Sequence, residues 1–402
     1  METIKDKRLH LFQRPQVNLT LLSSENDCII TKEYGKLVDL ESGCWAAVLG
    51  HSKTLLQETI KNLEFPFHAH QFFDSSLVSQ LIEKIESCAQ LPLHYAGTFT
   101  TSGSEAVSLA VMLAELLTGR HKKLCLTISY LGATPDLRLP RNPETWTDFD
   151  PADCLSCSAD MDCEHCPKFA LTDFSQYASF VFEPGNSGGT VIFPPEKLIS
   201  FLTCKIKSSG GLLIVNEVTT GIGRTGKFFG YQYYPDLNTP SLSPDFIAMG
   251  KCLGNGYPIG GVLTKSTYQS ALEASGFRYV QSHSDDPLGI TIALKTLNII
   301  QSDHLVEASL TKGELLRGLL RASIVFPKAI TEIRGRGLMN TIVLHQNINA
   351  KDVFESLLIE GFFAGYSEAY NLIRLYPPLT IEQETIDRFC KTLEKILEKY
   401  QN

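Results

Sequence analysis

At 402 residues, 43% of them apolar, the chain is long enough for a large core and two structural lobes. A formal charge of -8 with no long basic run excludes nucleic acid as a general partner, and no apolar run reaches the roughly eighteen residues of a membrane span. Eleven cysteines, an odd number in mostly apolar contexts, fit a reducing compartment better than a disulfide framework. The stretch Met1–His10 lacks the apolar core of a signal peptide, so a cytoplasmic location is expected.

Along the chain, Tyr34–Leu40 reads as a short strand pair turning at Gly35, and Ser42–His51 follows with Trp45 inside it. Thr98–Ser104 is a strand running into a glycine turn. The helix after it carries Ala106, Leu109, Ala110, Leu113, Ala114 and Leu117 on one face and closes at Gly119. A helix opening on Ser-Gly-Ser offers free backbone amides and a hydroxyl, which suits a phosphate. Leu124–Ile128 is the next strand and ends at Ser129–Gly132.

Residues 133–173 are the least regular, with Pro135, Pro140, Pro143, Pro151 and Pro167. Within them, Cys154-x2-Cys157-x5-Cys163-x2-Cys166 has a spacing that admits tetrahedral zinc. The gap between the pairs is short for two opposed knuckles, and no strand-turn pattern surrounds it. A thiol-rich loop with occasional disulfides is therefore expected, and no metal ligand is assigned. Ala178–Phe182 is a strand leading to Glu183-Pro184.

Four aliphatic residues, Leu212–Val215, read as a buried strand with Asn216 and Glu217 just past its carboxyl end. Phe246–Met249 ends the same way at Gly250-Lys251. In an open parallel sheet, ligands bind beyond the carboxyl ends of the strands, so these two runs deliver an amide, a carboxylate and a lone lysine to one crevice. A lysine held between glycines and apolar residues loses its proton easily enough to condense with a carbonyl. Gly260–Thr264 is a further strand, and Gln281–Leu288 precedes a helix through about Ile300. From about residue 301, charged helices alternate with short strands as a C-terminal small lobe. Thr380 is expected to cap a last helix with Ile386, Phe389, Cys390, Leu393 and Leu397 on its core face. No internal repeat is visible.

The runs Asn216–Gly226 (NEVTTGIGRTG) and Gly250–Gly261 (GKCLGNGYPIGG), in this order and spacing, resemble the class III aminotransferases of fold type I, which use pyridoxal phosphate. The resemblance covers most of the chain. It implies an α/β fold: a large domain (51–300) with a mostly parallel seven-stranded sheet between helices, and a smaller α+β domain (301–402) joined by an N-terminal segment (1–50). It also implies that Lys251 forms the Schiff base with the cofactor aldehyde, and that Ser102–Ala106 (SGSEA) is the phosphate cup, with Gly103 and Ser104 on the phosphate. Tyr130 is then the ring stacked on the cofactor, with Leu131 where the family has histidine, and Val218 lies on the opposite face. Ser282 falls where relatives carry a hydroxyl that reaches the neighbouring subunit's phosphate, which implies a homodimer. Asn371–Leu379 matches the family's closing motif, making Arg374 the anchor for a substrate carboxylate, since guanidinium offers a planar two-point grip. Glu183 is implied at the edge of the site, pairing with that arginine when no carboxylate ligand is present, and Trp45 is expected either to line the pocket or to pack beside it.

Two positions depart from the pattern. The family's aspartate, which keeps the cofactor ring nitrogen protonated, is here Asn216, and an amide cannot supply that charge. The glutamine near the ring hydroxyl is Thr219, which reaches less far but still hydrogen-bonds. The implied activity is transfer of an amino group between an amino acid or amine donor and a 2-oxo acid. The alternative that Asn216 suggests is racemisation or epimerisation, decarboxylation or elimination on the same scaffold.

Overall fold

The computed structural model describes residues 17, 19–51, 53–69, 76–157, 162–186 and 188–400. Met1–His10, read as lacking a signal core, lies outside them. Fifteen strands follow in chain order: β1 Leu21–Glu25, β2 Cys28–Thr31, β3 Gly35–Asp39, β4 Tyr95–Thr100, β5 Lys122–Leu126, β6 Trp146–Phe149, β7 Tyr177–Phe182, β8 Leu212–Asn216, β9 Phe246–Met249, β10 Gly260–Lys265, β11 Ile330–Arg336, β12 Met339–Leu344, β13 Phe362–Phe363, β14 Gly365–Ser367 and β15 Leu372–Leu375.

Seven of them form the central sheet in the order β4-β10-β9-β8-β7-β5-β6. The neighbours from β9 through β6 run parallel, and β10 lies antiparallel to both β9 and β4. Every residue of β7, β8, β9 and β10 is buried, which is why these strands read as continuous apolar runs rather than alternating ones. Burying each large side chain there contributes about 1.5–3 kcal/mol.

The helix Gly103–Thr118 crosses one face. Its N-cap Ser102 accepts from the Glu105 amide at 3.2 Å, the Glu105 carboxylate reaches back to the Thr101 amide at 2.9 Å, and Gly119 closes it at a φ of 66°. The helix Pro287–Ser302 opens on Asp286, whose carboxylate accepts from the Gly289 amide at 3.2 Å.

Two smaller sheets complete the chain, ordered β1-β2-β3-β13 and β11-β12-β15-β14. β13 pairs parallel with β3, Phe362 opposite Val38, so an early segment and a late one share a sheet.

Three local expectations change. The hairpin around Gly35 is made by β2 and β3, so its first arm precedes Tyr34. The irregular stretch after residue 133 contains β6, a four-residue edge strand too short for a periodic signal. The last helix runs Gln383–Glu398 with Glu382, not Thr380, at its N-cap, because Thr380 lies in a separate turn closed by the Ile381 N–H on the Pro378 carbonyl at 3.1 Å.

Candidate active site

β8 ends at Asn216, and the turn after it is built by the buried side chains of Asn216 and Glu217. The Asn216 amide donates to the Tyr130 carbonyl at 3.2 Å and accepts from the Val218 N–H at 3.1 Å. Glu217 accepts from the Thr220 hydroxyl at 2.6 Å, the Gly230 N–H at 2.9 Å and the Tyr231 N–H at 2.7 Å. Burial pushes its carboxyl up to about 7 despite those three donors. Glu217 therefore fastens the loop to the short turn Gly230–Tyr233 and takes no part in lining the crevice.

Next to it, β9 runs through Gly250 into Lys251. Lys251 has a φ of 43°, a left-handed conformation that a side chain adopts only when its surroundings hold it there. Its Nζ donates to the Thr219 hydroxyl at 2.6 Å and lies 4.5 Å from the centre of the Trp45 ring. Burial holds its pKa below the ordinary lysine value; Cys44 and Glu183 pull it upward and Arg374 pushes it down. Gly250 is needed for close approach, since a Cβ there would stand 3.0 Å from the Gly103 Cα. A Cβ on Gly103 would in turn meet a Val218 methyl at 2.5 Å. The two glycines let the lysine turn, the Val218 turn and the helix start converge.

At that helix start, the amides of Gly103 and Ser104 have no acceptor among the described residues, and the Ser104 hydroxyl accepts from the Ala133 N–H at 3.0 Å. Tyr130 stands at the end of the β5 segment with its N–H on the Glu183 carboxylate at 3.1 Å, while its side chain is 46% exposed and free to cover a ligand.

Across the crevice, the Asp39 carboxylate accepts from the Glu41 and Gly43 amides at 2.9 and 2.6 Å and contacts His51 at 2.7 Å. These bonds hold a tight turn in which Ser42 and Trp45 have positive φ. Trp45 stacks on Tyr376, with centroids 5.0 Å apart, and its indole N–H donates to Glu41 at 3.0 Å. Trp45 thus packs on Tyr376 and also faces Lys251. Arg374 lies against the same ring at 4.7 Å and donates through Nε and Nη2 to the two oxygens of Glu41, at 3.1 and 2.7 Å. Burial pushes the Glu41 carboxyl up while the guanidinium pulls it back. The carboxylate seated on Arg374 is thus Glu41, whereas Glu183 was expected there and instead holds the Tyr130 amide. The Tyr376 hydroxyl is buried beside this pair with no hydrogen-bond partner among the described residues.

The fold thus gathers Trp45, Gly103, Ser104, Tyr130, Glu183, Asn216, Val218, Thr219, Lys251 and Arg374 around the ends of β7, β8 and β9. Ser282 is the exception: it is exposed in the turn before the helix Pro287–Ser302 and contacts none of the others among the described residues. Sequence reasoning missed Glu41 and Tyr376. A lone glutamate before a Ser-Gly turn carries no pattern, although Tyr376, two residues beyond Arg374 on an extended strand, was within reach of the rule that alternate residues share a face.

A family model described as aminotransferase class-III matches residues 160–397. An acetylornithine aminotransferase of Mycobacterium leprae is 29% identical over 395 residues, covering 94% of this chain and 91% of its own. A putrescine aminotransferase of Pectobacterium atrosepticum is 29% identical over 352 residues, covering 83% and 72%. The fold matches that of an aminotransferase from Bacillus anthracis with a TM-score of 0.86 at 24% identity, over 97% of this chain and 96% of that one.

Proposed function

From the premise that the chain belongs to the class III aminotransferases, we propose that it binds pyridoxal phosphate across the ends of β8 and β9 and uses Lys251 to move an amino group from an amino acid or amine to a 2-oxo acid. When bound, the cofactor draws electrons from the substrate carbon and carries the amino group between half-reactions. The observation that carries the proposal is the convergence of Lys251, Thr219, Asn216 and the open helix start at one crevice.

Each residue then has a task. The free amides of Gly103 and Ser104, at the positive end of a sixteen-residue helix, hold the phosphate. Gly103 fits that task because a side chain there would collide with Val218. Tyr130 and Val218 cover the two faces of the ring and keep water off it. Asn216 offers the ring nitrogen an amide in place of a charge. Thr219 holds the Lys251 amine, and burial lowers its pKa from the ordinary lysine value, so Nζ is suited to take a proton from the substrate carbon and return it one atom away. Arg374 grips a substrate carboxylate, with Glu41 taking that place when the substrate presents an uncharged or amine-bearing end. On this account the chain handles a donor whose amine-bearing carbon carries no carboxylate as well as a 2-oxo acid, in keeping with the diamine named for its putrescine relative.

The proposal extends to a homodimer in which Ser282 reaches the partner's phosphate. It also keeps domain limits of 1–50, 51–300 and 301–402 and a cytoplasmic location. The β3–β13 pairing supports the first and last segments forming one unit. No helix among the described residues is long and apolar enough to cross a membrane.

A panel of terminal amines and amino acids, each with 2-oxoglutarate or pyruvate, tests the activity: formation of the amino acid matching the oxo acid is the expected result. Asn216 is the observation that favours the other reading. Racemised or decarboxylated substrate with no new amino acid would establish that reading in place of transamination. Borohydride treatment with added pyridoxal phosphate should label Lys251, and an unlabelled lysine would remove the whole assignment.

A further inference from the structure

The four cysteines between β6 and β7 play no part in the crevice, yet the fold sets them along one cavity, with no three of their sulfurs within 4.8 Å of one another, so a shared ion would draw the two turns closer. Each pair closes a turn of its own: the Cys157 N–H donates to the Cys154 carbonyl at 3.3 Å, and the Cys166 N–H to the Cys163 carbonyl at 3.2 Å. Such turns put both thiols of a pair on one side. Cys154, Cys157, Cys163 and Cys166 all line a single cavity of about 270 Å³, closed by Phe169 and by Pro195–Leu198 at the start of the helix Glu196–Ser208. All four are free thiols.

The segment has little else to hold it. Its helices, Ala152–Leu155 and Cys163–His165, are single turns with no buried residue, and turns of that length do not sustain themselves. Its apolar anchor is Phe169, packed 4.9 Å from Phe149 and 4.8 Å from Phe201. Charges of both signs stand close by: Lys197, Glu196 and Asp162 form part of the cavity wall, and Lys168 pairs with Asp153 at 2.7 Å.

We propose that Cys154, Cys157, Cys163 and Cys166 bind one thiophilic divalent cation of the zinc class as a tetrathiolate that cross-links the two turns. Four sulfur ligands in two C-x2-C turns suit a tetrahedral ion without redox chemistry. Binding exchanges four S–H bonds for four metal–sulfur bonds and releases four protons, leaving a centre of net charge -2 beside Lys197. The centre is structural, so it stands or falls apart from the aminotransferase reading.

The test uses the full-length protein purified under reducing conditions without chelator. Metal analysis should find about one zinc per chain, and Cys157→Ser or Cys163→Ser should lower it below about a tenth, while Cys204→Ser on the exposed face leaves it unchanged. Stripping the zinc should expose four further reactive thiols and lower the melting temperature, with both effects reversed by added Zn²⁺. Because the variants could misfold, stripped wild-type protein is also titrated with Co²⁺, where an intense thiolate-to-cobalt absorption saturating at one ion per chain is expected. Absence of zinc together with absence of that absorption overturns the proposal. So does iron with acid-labile sulfide, or a mass deficit matching disulfides in the reduced preparation.

Discussion

The crevice at the ends of β8 and β9 and the cysteine loop between β6 and β7 belong to one sheet but are held in opposite ways. In the crevice the lysine, the arginine and the side chains after β8 already have protein partners: Lys251 on Thr219, Asn216 on Tyr130, Arg374 on Glu41, and Glu217 on three donors. In the loop the polar contacts are at the surface, such as His165 with Asp162 and Lys205 with Glu164, and exposed pairs of that kind contribute about 0–1 kcal/mol. The crevice is organised by the protein alone before any ligand arrives. The loop has its thiols along one cavity but nothing among the described residues to bind them together.

That contrast can be broken most decisively at Lys251. Lys251→Met should reduce transamination by about 10⁴-fold or more, measured as product formed per turnover time. The same change should raise the melting temperature of the cofactor-free protein. The folded pKa of Lys251 lies below its unfolded value, so the buried ammonium costs stability at neutral pH. That cost fades as pH rises through the folded value, so the advantage of Lys251→Met over wild type should shrink from pH 7 toward pH 10. A constant or widening advantage would count against a buried, charge-averse lysine.

Arg374→Ala comes next, because it strands Glu41 in a buried position. It should cost about 3–5 kcal/mol in denaturant unfolding. The KM for the 2-oxo acid should rise much more than that for a terminal amine. Combining it with Glu41→Gln should restore part of the stability but not the KM. Recovery of both would assign the pair a structural role only.

A smaller effect is expected at the helix start. In Gly103→Ala the added methyl meets Val218 at 2.5 Å, an overpacking worth about 1–3 kcal/mol. Pyridoxal phosphate should be lost faster on dialysis, and Val218→Ala in the same chain should slow that loss. Smallest is Asn216→Asp, which supplies the missing charge but replaces the donor to the Tyr130 carbonyl with an acceptor, at about 1 kcal/mol of stability. Transamination should rise by no more than about tenfold if ring protonation limits it. An unchanged rate would mean that the amide serves the ring as well as a carboxylate does.

Much of this was legible in the chain itself. Runs such as Leu212–Val215 and Phe246–Met249 are apolar because both faces of their strands are covered, and that pattern is local. So is the Ser-Gly-Ser helix start, since a helix cap is settled by neighbours a few residues away, whereas the close approach of Gly250 to Gly103 joins distant segments. Glu41 and its seating of Arg374 were not legible, because a partner 333 residues distant leaves no periodic trace in either segment. The same holds for the cysteines. Their spacing was in plain view, but whether four thiols face one cavity depends on how two turns and the helix Glu196–Ser208 pack, and only the tertiary structure decides that.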